Sequence, residues 1–213
     1  MSSSGSRPLV VSDCDEVLLH LITHFRDFLG EEHGVDFLWA GGTFANAMRY
    51  KDTGEALTEA EMWRLLNLFF DTEMHRQTPI AGAVGAVAAL NEVADVVVLT
   101  NLMDHRLKLR AAQLASHGIH ARVFTNQGPK GPALKKIVEE FRPTTTIFID
   151  DIAQHHASAA NDVAEVTRLH FCGEPLIAPH IECAHEAGHA HARIDNWNEA
   201  LPWLLERLQE GDR

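Results

Sequence analysis

The sequence predicts a three-layer α/β fold: a Rossmann-like parallel sheet core with helices on both faces and an inserted, mostly α-helical subdomain. Three observations carry this. Leu9-Val10-Val11, Val96-Val97-Val98-Leu99 and Ile147-Phe148-Ile149 are short apolar runs bounded by polar residues, the pattern of strands buried on both faces. Helical stretches separate them, giving βα units with right-handed crossovers. Finally, about 80 residues lie between the first and second runs, where a crossover needs a dozen or more.

The elements follow in order. The first strand covers about Pro8 to Ser12, and mostly helical character runs from Val17 to about Gln77. Within that stretch fall the Gly41-Gly42-Thr43-Phe44 break and an apolar-rich helix from Thr58 to Met74. Thr58-Glu59-Ala60-Glu61 reads as its capping box. Thr78-Pro79 punctuates, and a helix runs from Ile80 to Glu92. Asp95 to Leu99 is a strand; Asp104 to His117 is a helix closed by Gly118. A short strand at Ala121 to Phe124 precedes a helix from Pro132 to Phe141, which stops before Pro143. Thr146 to Ile149 is a strand, Ile152 to Val163 a helix, Glu165 to Phe171 a strand and Trp197 to Leu208 an amphipathic closing helix. The expected division is residues 1–17 and 78–213 as the core, with 18–77 inserted over the end of the first strand as a lid.

Composition narrows the partners. The chain has 213 residues, 46% hydrophobic and 23% charged, ordinary for a globular domain with one core and a modest insertion. No run approaches the length of a membrane span, and the N-terminus does not read as a signal peptide. Three scattered cysteines make no disulfide framework, which fits a reduced cytoplasm. A net charge of −12 disfavours nucleic acid and anionic membranes. It also repels a phosphate ester, so a site for one needs local positive charge.

Ligands of open parallel sheets bind beyond the carboxyl ends of the strands. There the three runs deliver Asp13 and Asp15, Thr100 and Asn101, and Asp150 and Asp151. Four carboxylates cannot crowd together ionised without a cation, which implies a divalent metal. The motifs are Val10-Val11-Ser12-Asp13-Cys14-Asp15, Val98-Leu99-Thr100, Lys130 within Gly128-Pro129-Lys130-Gly131-Pro132, and Ile149-Asp150-Asp151.

In this order they resemble the haloacid dehalogenase-like hydrolase superfamily, over the first strand and the stretch from about Pro79 to Phe171. The Asp-x-Asp form is similar to the phosphatase branch; the dehalogenases lack the second aspartate. The resemblance implies a Mg²⁺-dependent phosphatase of a small phosphorylated metabolite. Asp13 would attack phosphorus to form an aspartyl-phosphate. Asp15 would protonate the leaving oxygen and then activate water. Thr100 and the Asn101 amide would hold phosphoryl oxygens, and Lys130 would neutralise charge and orient Asp13. Asp13, the Asp15 carbonyl and Asp151 would ligate Mg²⁺, with Asp150 behind them or bound through water. The inserted segment would be a cap meeting the leaving group, with Glu16, His20, Trp39, Thr43, Asn46, Arg49 and Lys51 as candidate contacts. Glu16 stands where many members carry a glycine or another small residue.

Each feature has a plainer reading. Asp13 and Asp15 could be turn residues. Thr100 could cap the next helix, with Asp104 competing. Lys130 could be solvated, with Lys135 and Lys136 as alternatives. Trp39 and Phe44 suit the core of the insertion, Cys14 a buried structural position, and Arg49 and Lys51 solvent. His155 and His156 read as helix-surface histidines at the mouth of the site, with substrate contact the alternative. His185-Glu186-Ala187-Gly188-His189 matches H-E-x-x-H, but Gly188 weakens the helix that pattern requires. Three other classes compete: a phosphomutase sharing the aspartyl-phosphate, a non-enzymatic phospho-acceptor, and a zinc-binding protein built on Cys183, His185, His189 and His191. Receiver-type phospho-acceptors place the acidic pair first, the reverse of the order here.

Overall fold

A computed structural model describes residues 7–39 and 44–210. Strand β1 (Leu9–Ser12) leads into the inserted segment, which contains α1 (Ile22–Glu32), β2 (Val35–Phe37), β3 (Met48–Tyr50) and α2 (Glu59–Thr72). The chain then alternates: α3 (Ala83–Val93), β4 (Asp95–Thr100), α4 (Leu107–Ser116), β5 (Arg122–Thr125), α5 (Gly131–Phe141), β6 (Thr146–Asp150), α6 (Ala153–Asp162) and β7 (Thr167–His170). The short β8 (Ala192–Arg193) and α7 (Trp197–Glu210) complete it. The main sheet has the order β5-β4-β1-β6-β7-β8, with every pairing parallel.

The central strand shows why alternation is missing from its sequence. Leu9, Val10 and Val11 are all fully buried. Val10 joins the apolar layer beneath α3 and α7, while Leu9 and Val11 join the layer beneath α5 and α6. With both faces covered, each such side chain contributes roughly 1.5–3 kcal/mol of burial.

The insertion has its own core around Phe25, Phe28 and Phe69, with Phe69 edge-on to the other two at ring separations of 5.7 Å. The Thr58–Glu61 capping box forms at the start of α2. The expectation of a mostly helical insertion needs one correction: β2 and β3 form an antiparallel pair, Val35 opposite Tyr50 and Phe37 opposite Met48. Three-residue strands are too short for alternation to stand out. Of the glycine break, Gly41, Gly42 and Thr43 lie outside the described residues; Trp39 and Phe44 pack together in the insertion's apolar cluster.

The segment's entry and exit run side by side. His20 N–H donates to the Thr78 carbonyl and Ile80 N–H to the Leu18 carbonyl, each at 2.9 Å. The two chains therefore form a narrow stem where the insertion leaves the sheet.

Candidate active site

Parallel pairing sets Ser12 beside Val98 on one side and Ile149 on the other, so β1, β4 and β6 end together. Asp13 is the first residue past β1, and its N–H donates to the Ile149 carbonyl at 2.8 Å. Carboxylate oxygens of Asp13, Asp150 and Asp151 lie within 4.8 Å of one another, and all three residues are buried.

Lys130 neutralises much of this charge. It is fully buried, with Nζ 2.8 Å from Asp13 Oδ1 and 2.7 Å from Asp150 Oδ2. Gly131 explains how it gets there. A Cβ at that position would lie 2.5 Å from the Ser158 carbonyl oxygen and closer still to Asp162, so only glycine lets α5 start hard against α6. The alternatives Lys135 and Lys136 are exposed.

Burial pushes the Asp13 carboxyl up to about 7, with Lys130 pulling against it and Asp150 and Asp15 adding to it. Burial also opposes the charge on Asp150, but Lys130 outweighs it and holds that carboxyl below the usual range. Asp151 is held well above the carboxylate range by burial and by the charges of Asp150 and Asp13. Both Asp150 oxygens are engaged, Oδ2 by Lys130 and Oδ1 by the Ile152 N–H. The Asp151 carboxylate takes no hydrogen bond from a described residue.

Asp15 departs from the expected gathering of four carboxylates. Its side chain turns to Arg110, whose Nη2 lies 3.0 Å from both carboxylate oxygens, and Gln77 Nε2 donates to Oδ1 at 2.7 Å. Arg110 is fully buried and also reaches Cys14 Sγ, Gln77 Oε1 and Gln113 Oε1. A second buried cation, and not a metal alone, therefore offsets the acidic crowd. Cys14 is buried and structural, as read from sequence.

Arg110 and Gln77 were not legible as site residues. On α4 the buried positions are Arg110, Gln113 and Leu114, whereas Leu109 is 52% exposed. The helix turns polar groups inward, the reverse of the usual pattern. The inward Arg106-Arg110-Gln113 spacing was the available signal.

Thr100 is fully buried, and its hydroxyl has no partner among the described residues. It does not cap the following helix. Asp104 instead accepts from Thr125 Oγ1 at 2.7 Å. An unsatisfied buried hydroxyl costs about 1–3 kcal/mol, so an absent ligand oxygen belongs beside it. Asn101 is exposed; its Nδ2 donates to the Gly128 carbonyl and lies 3.2 Å from His155 Nε2.

The two α6 histidines are buried, which corrects their reading as surface residues. His156 Nε2 donates to the Asp150 carbonyl at 2.9 Å, and burial pushes its pKa down to about 4. It is a neutral brace for the strand end.

Glu16 takes a left-handed backbone, φ 60°, which explains why glycine suits this position. Its Oε1 accepts from Leu21 N–H at 3.0 Å and Ile22 N–H at 2.6 Å, capping α1 from outside the helix. Its other oxygen is buried and unpartnered, and burial holds the carboxyl well above its usual range. His20 Nδ1 lies 3.0 Å from Glu174 Oε2. Arg49 and Lys51 sit on β3 or just beyond it and bond within the insertion, to the Gly54 and Gly30 carbonyls; Asn46 is exposed. His185 to Gly188 form a turn in which Gly188 has φ 76°, so the H-E-x-x-H pattern makes no helix face. His191 Nδ1 accepts from the Arg168 N–H.

Between α2 and the loops that follow β4 and β5 lies a cleft of about 310 Å³. It opens beside Asn101, the residue after Thr100.

The sequence matches no protein-family model and no curated protein. Solved structures match over nearly the whole chain. A haloacid dehalogenase-like family hydrolase from Streptococcus pneumoniae superposes with a TM-score of 0.66 at 12% identity, covering 93% of this chain and 99% of that one. The fold is that of the haloacid dehalogenase-like hydrolases. A haloacid dehalogenase-like hydrolase from Deinococcus radiodurans, solved with bound phosphate and sodium, gives 0.64 at 18% identity and covers 95% and 97%. A haloacid dehalogenase-like protein of unknown function from Agrobacterium tumefaciens gives 0.61 at 15% and covers 94% and 98%.

The donors around Asp151 fit a hard divalent cation. All are oxygens, and crowded buried carboxylates are relieved by a cation of that kind. No described helix is long and apolar enough to cross a membrane.

Proposed function

We propose that this chain is a Mg²⁺-dependent phosphatase that hydrolyses a small phosphate monoester through an aspartyl-phosphate on Asp13. The observation that carries the reading is the buried Asp13–Lys130 pair at the shared end of β1, β4 and β6, where β4 ends in Thr100, whose buried hydroxyl has no partner among the described residues.

Mg²⁺, held by Asp13, Asp151 and the Asp15 carbonyl, would supply charge neutralisation on the phosphoryl oxygens. The remaining chemistry belongs to the chain. Asp13 attacks phosphorus as the bond to the leaving oxygen breaks. Thr100 and Asn101 hold phosphoryl oxygens, and Lys130 offsets the charge they carry. Asp15 gives the leaving oxygen its proton, then takes one from the water that attacks the aspartyl-phosphate. The inserted segment, residues 18–77, serves as the cap over this site. Phosphate bound in the Deinococcus radiodurans relative supports the reading. So does one further relative from Lactobacillus plantarum, described as a phosphoglycolate phosphatase.

The test is phosphate release from an aryl phosphate with and without Mg²⁺, in wild type and Asp13→Asn. Mg²⁺-dependent release that vanishes in the variant supports the proposal. Release that persists in Asp13→Asn removes Asp13 as nucleophile.

A further inference from the structure

We infer that the ester's alcohol is uncharged and carries an aromatic ring; this deepens the phosphatase reading and rests on it. The argument starts from the cleft's position. Its wall includes Asn101, the residue after Thr100, and Gly128, two residues before Lys130, so the cleft begins one residue from the proposed phosphoryl position. At about 310 Å³ it is at the small end of ligand pockets and takes a single compact body.

The walls are apolar and partly aromatic. Trp63, Leu66 and Phe70 come from α2, and Leu102 and Met103 from the loop after β4. Trp63 and Met103 are 51% and 41% exposed, yet both face this one cleft. Such convergent exposed apolar surface marks a binding face, unlike scattered single residues. A tryptophan face and a thioether both favour contact with a flat ring.

Charge excludes other classes. Among the described residues Arg106 is the one charged group lining the cleft, and it is 5% exposed and engaged at Nε, Nη1 and Nη2. Its Nε donates to Asp71 at 2.7 Å, Nη1 to Asn67 Oδ1 at 2.8 Å and Nη2 to the Asn67 carbonyl at 3.2 Å, with the guanidinium over the Phe70 ring. A carboxylate or second phosphate on the substrate therefore meets no free cation there. Among the described residues no acidic side chain lines the cleft to receive an amine. Of the amides, Asn67 Nδ2 donates to the Trp63 carbonyl and Asn126 Nδ2 to Asn101 Oδ1 and the Gly128 carbonyl, which leaves the exposed Gln127 to meet a hydroxyl. A polyhydroxylated sugar would lose more water along Trp63, Leu66, Phe70, Leu102 and Met103 than that one amide returns.

The experiment compares benzyl phosphate, glycerol phosphate and phosphoglycolate in wild type, Trp63→Ala, Trp63→Phe and Met103→Lys. Wild type should prefer benzyl phosphate by kcat/KM. Trp63→Ala should lower that value about tenfold, the worth of one aromatic contact, and lower glycerol phosphate by a clearly smaller factor. Trp63→Phe should restore most of it. Met103→Lys should shift preference toward phosphoglycolate. Equal losses on benzyl and glycerol phosphates in Trp63→Ala, or a wild-type preference for phosphoglycolate, would overturn the inference while leaving the phosphatase reading standing. Hydrolysis of none of the three esters would overturn both.

Discussion

Replacing Lys130 with methionine keeps the unbranched stem, one atom shorter, and removes the charge. In the wild type this one ammonium lies 2.8 Å from Asp13 and 2.7 Å from Asp150, with no solvent access. Removing one partner of a buried ion pair costs about 3–5 kcal/mol, because the remaining charge is left uncompensated. The cost depends on pH through Asp13. Its carboxyl is already pushed up to about 7, so at pH 5 it holds a proton with or without Lys130, and mainly the attraction to Asp150 is lost. At pH 8 the wild-type Asp13 is ionised, and the variant must bury two unpaired carboxylates or take up a proton. Lys130 itself does not titrate in this window, since Asp13 and Asp150 outweigh burial and hold its pKa above the ordinary lysine value. The melting temperature of the metal-free variant should therefore fall by about 6–20 °C at pH 8, from roughly 2–4 °C per kcal/mol for a chain of this size. The fall should be clearly smaller at pH 5. Calorimetric melts in chelator at both pH values measure it. An equal depression at pH 5 and pH 8, or none at pH 8, would refute the reasoning.

Three other outcomes are expected. Mg²⁺ should stabilise the wild type more at pH 8 than at pH 5, because burial holds the Asp13 and Asp151 carboxyls above the usual range and a ligand must first lose its proton. At a hundred times Kd the gain is about 2.7 kcal/mol, read as a thermal shift; equal shifts at the two pH values would count against the site. Arg110→Met should lower kcat about a hundredfold with KM within about threefold, since it frees Asp15 without touching the phosphoryl pocket; steady-state kinetics of a correctly melting variant decides it. Glu16→Gly removes left-handed strain of about 1–2 kcal/mol and a helix cap of about 1 kcal/mol, so the two nearly cancel at low pH. A buried acid with a raised pKa lowers stability as pH climbs from the ordinary carboxylate range through the raised one. The variant should thus gain on wild type between pH 5 and pH 8 in urea melts, and its Mg²⁺ binding should stay intact.

The sheet was legible because its central strands are apolar on both faces and their polar endings fall at one edge. Asp13, Thr100 and Asp150 could be named from those endings and Lys130 from the resemblance; the structure brings Asp13, Lys130 and Asp150 together. What stayed hidden has a common cause. Arg110 and Gln77 act through contacts across 95 and 62 residues of sequence, and nothing local distinguishes a buried arginine from a solvated one. The β2–β3 pair hid behind its three-residue length. His155 and His156 looked like surface residues because α6 is otherwise small and polar; His156 packs on Phe148 of β6, and His155 meets Asn101 in the loop after β4. Arg49 and Lys51 looked suited to anions by charge, and the hairpin carries both out of the cleft.

The stem at residues 18–20 and 78–80 has a mechanical meaning. Gln77 is the last residue before the exit chain joins it, and that side chain grips Asp15 while its Oε1 receives Arg110. Glu16, next to Asp15, grips the first turn of α1 at the entry. The inserted segment is thus geared at both ends to the same two residues of the Asp-x-Asp loop. A movement of that segment would reach Asp15 through Gln77 and Glu16 alike, and a graft that exchanged residues 18–77 would replace Gln77 and with it one of the two grips on that loop.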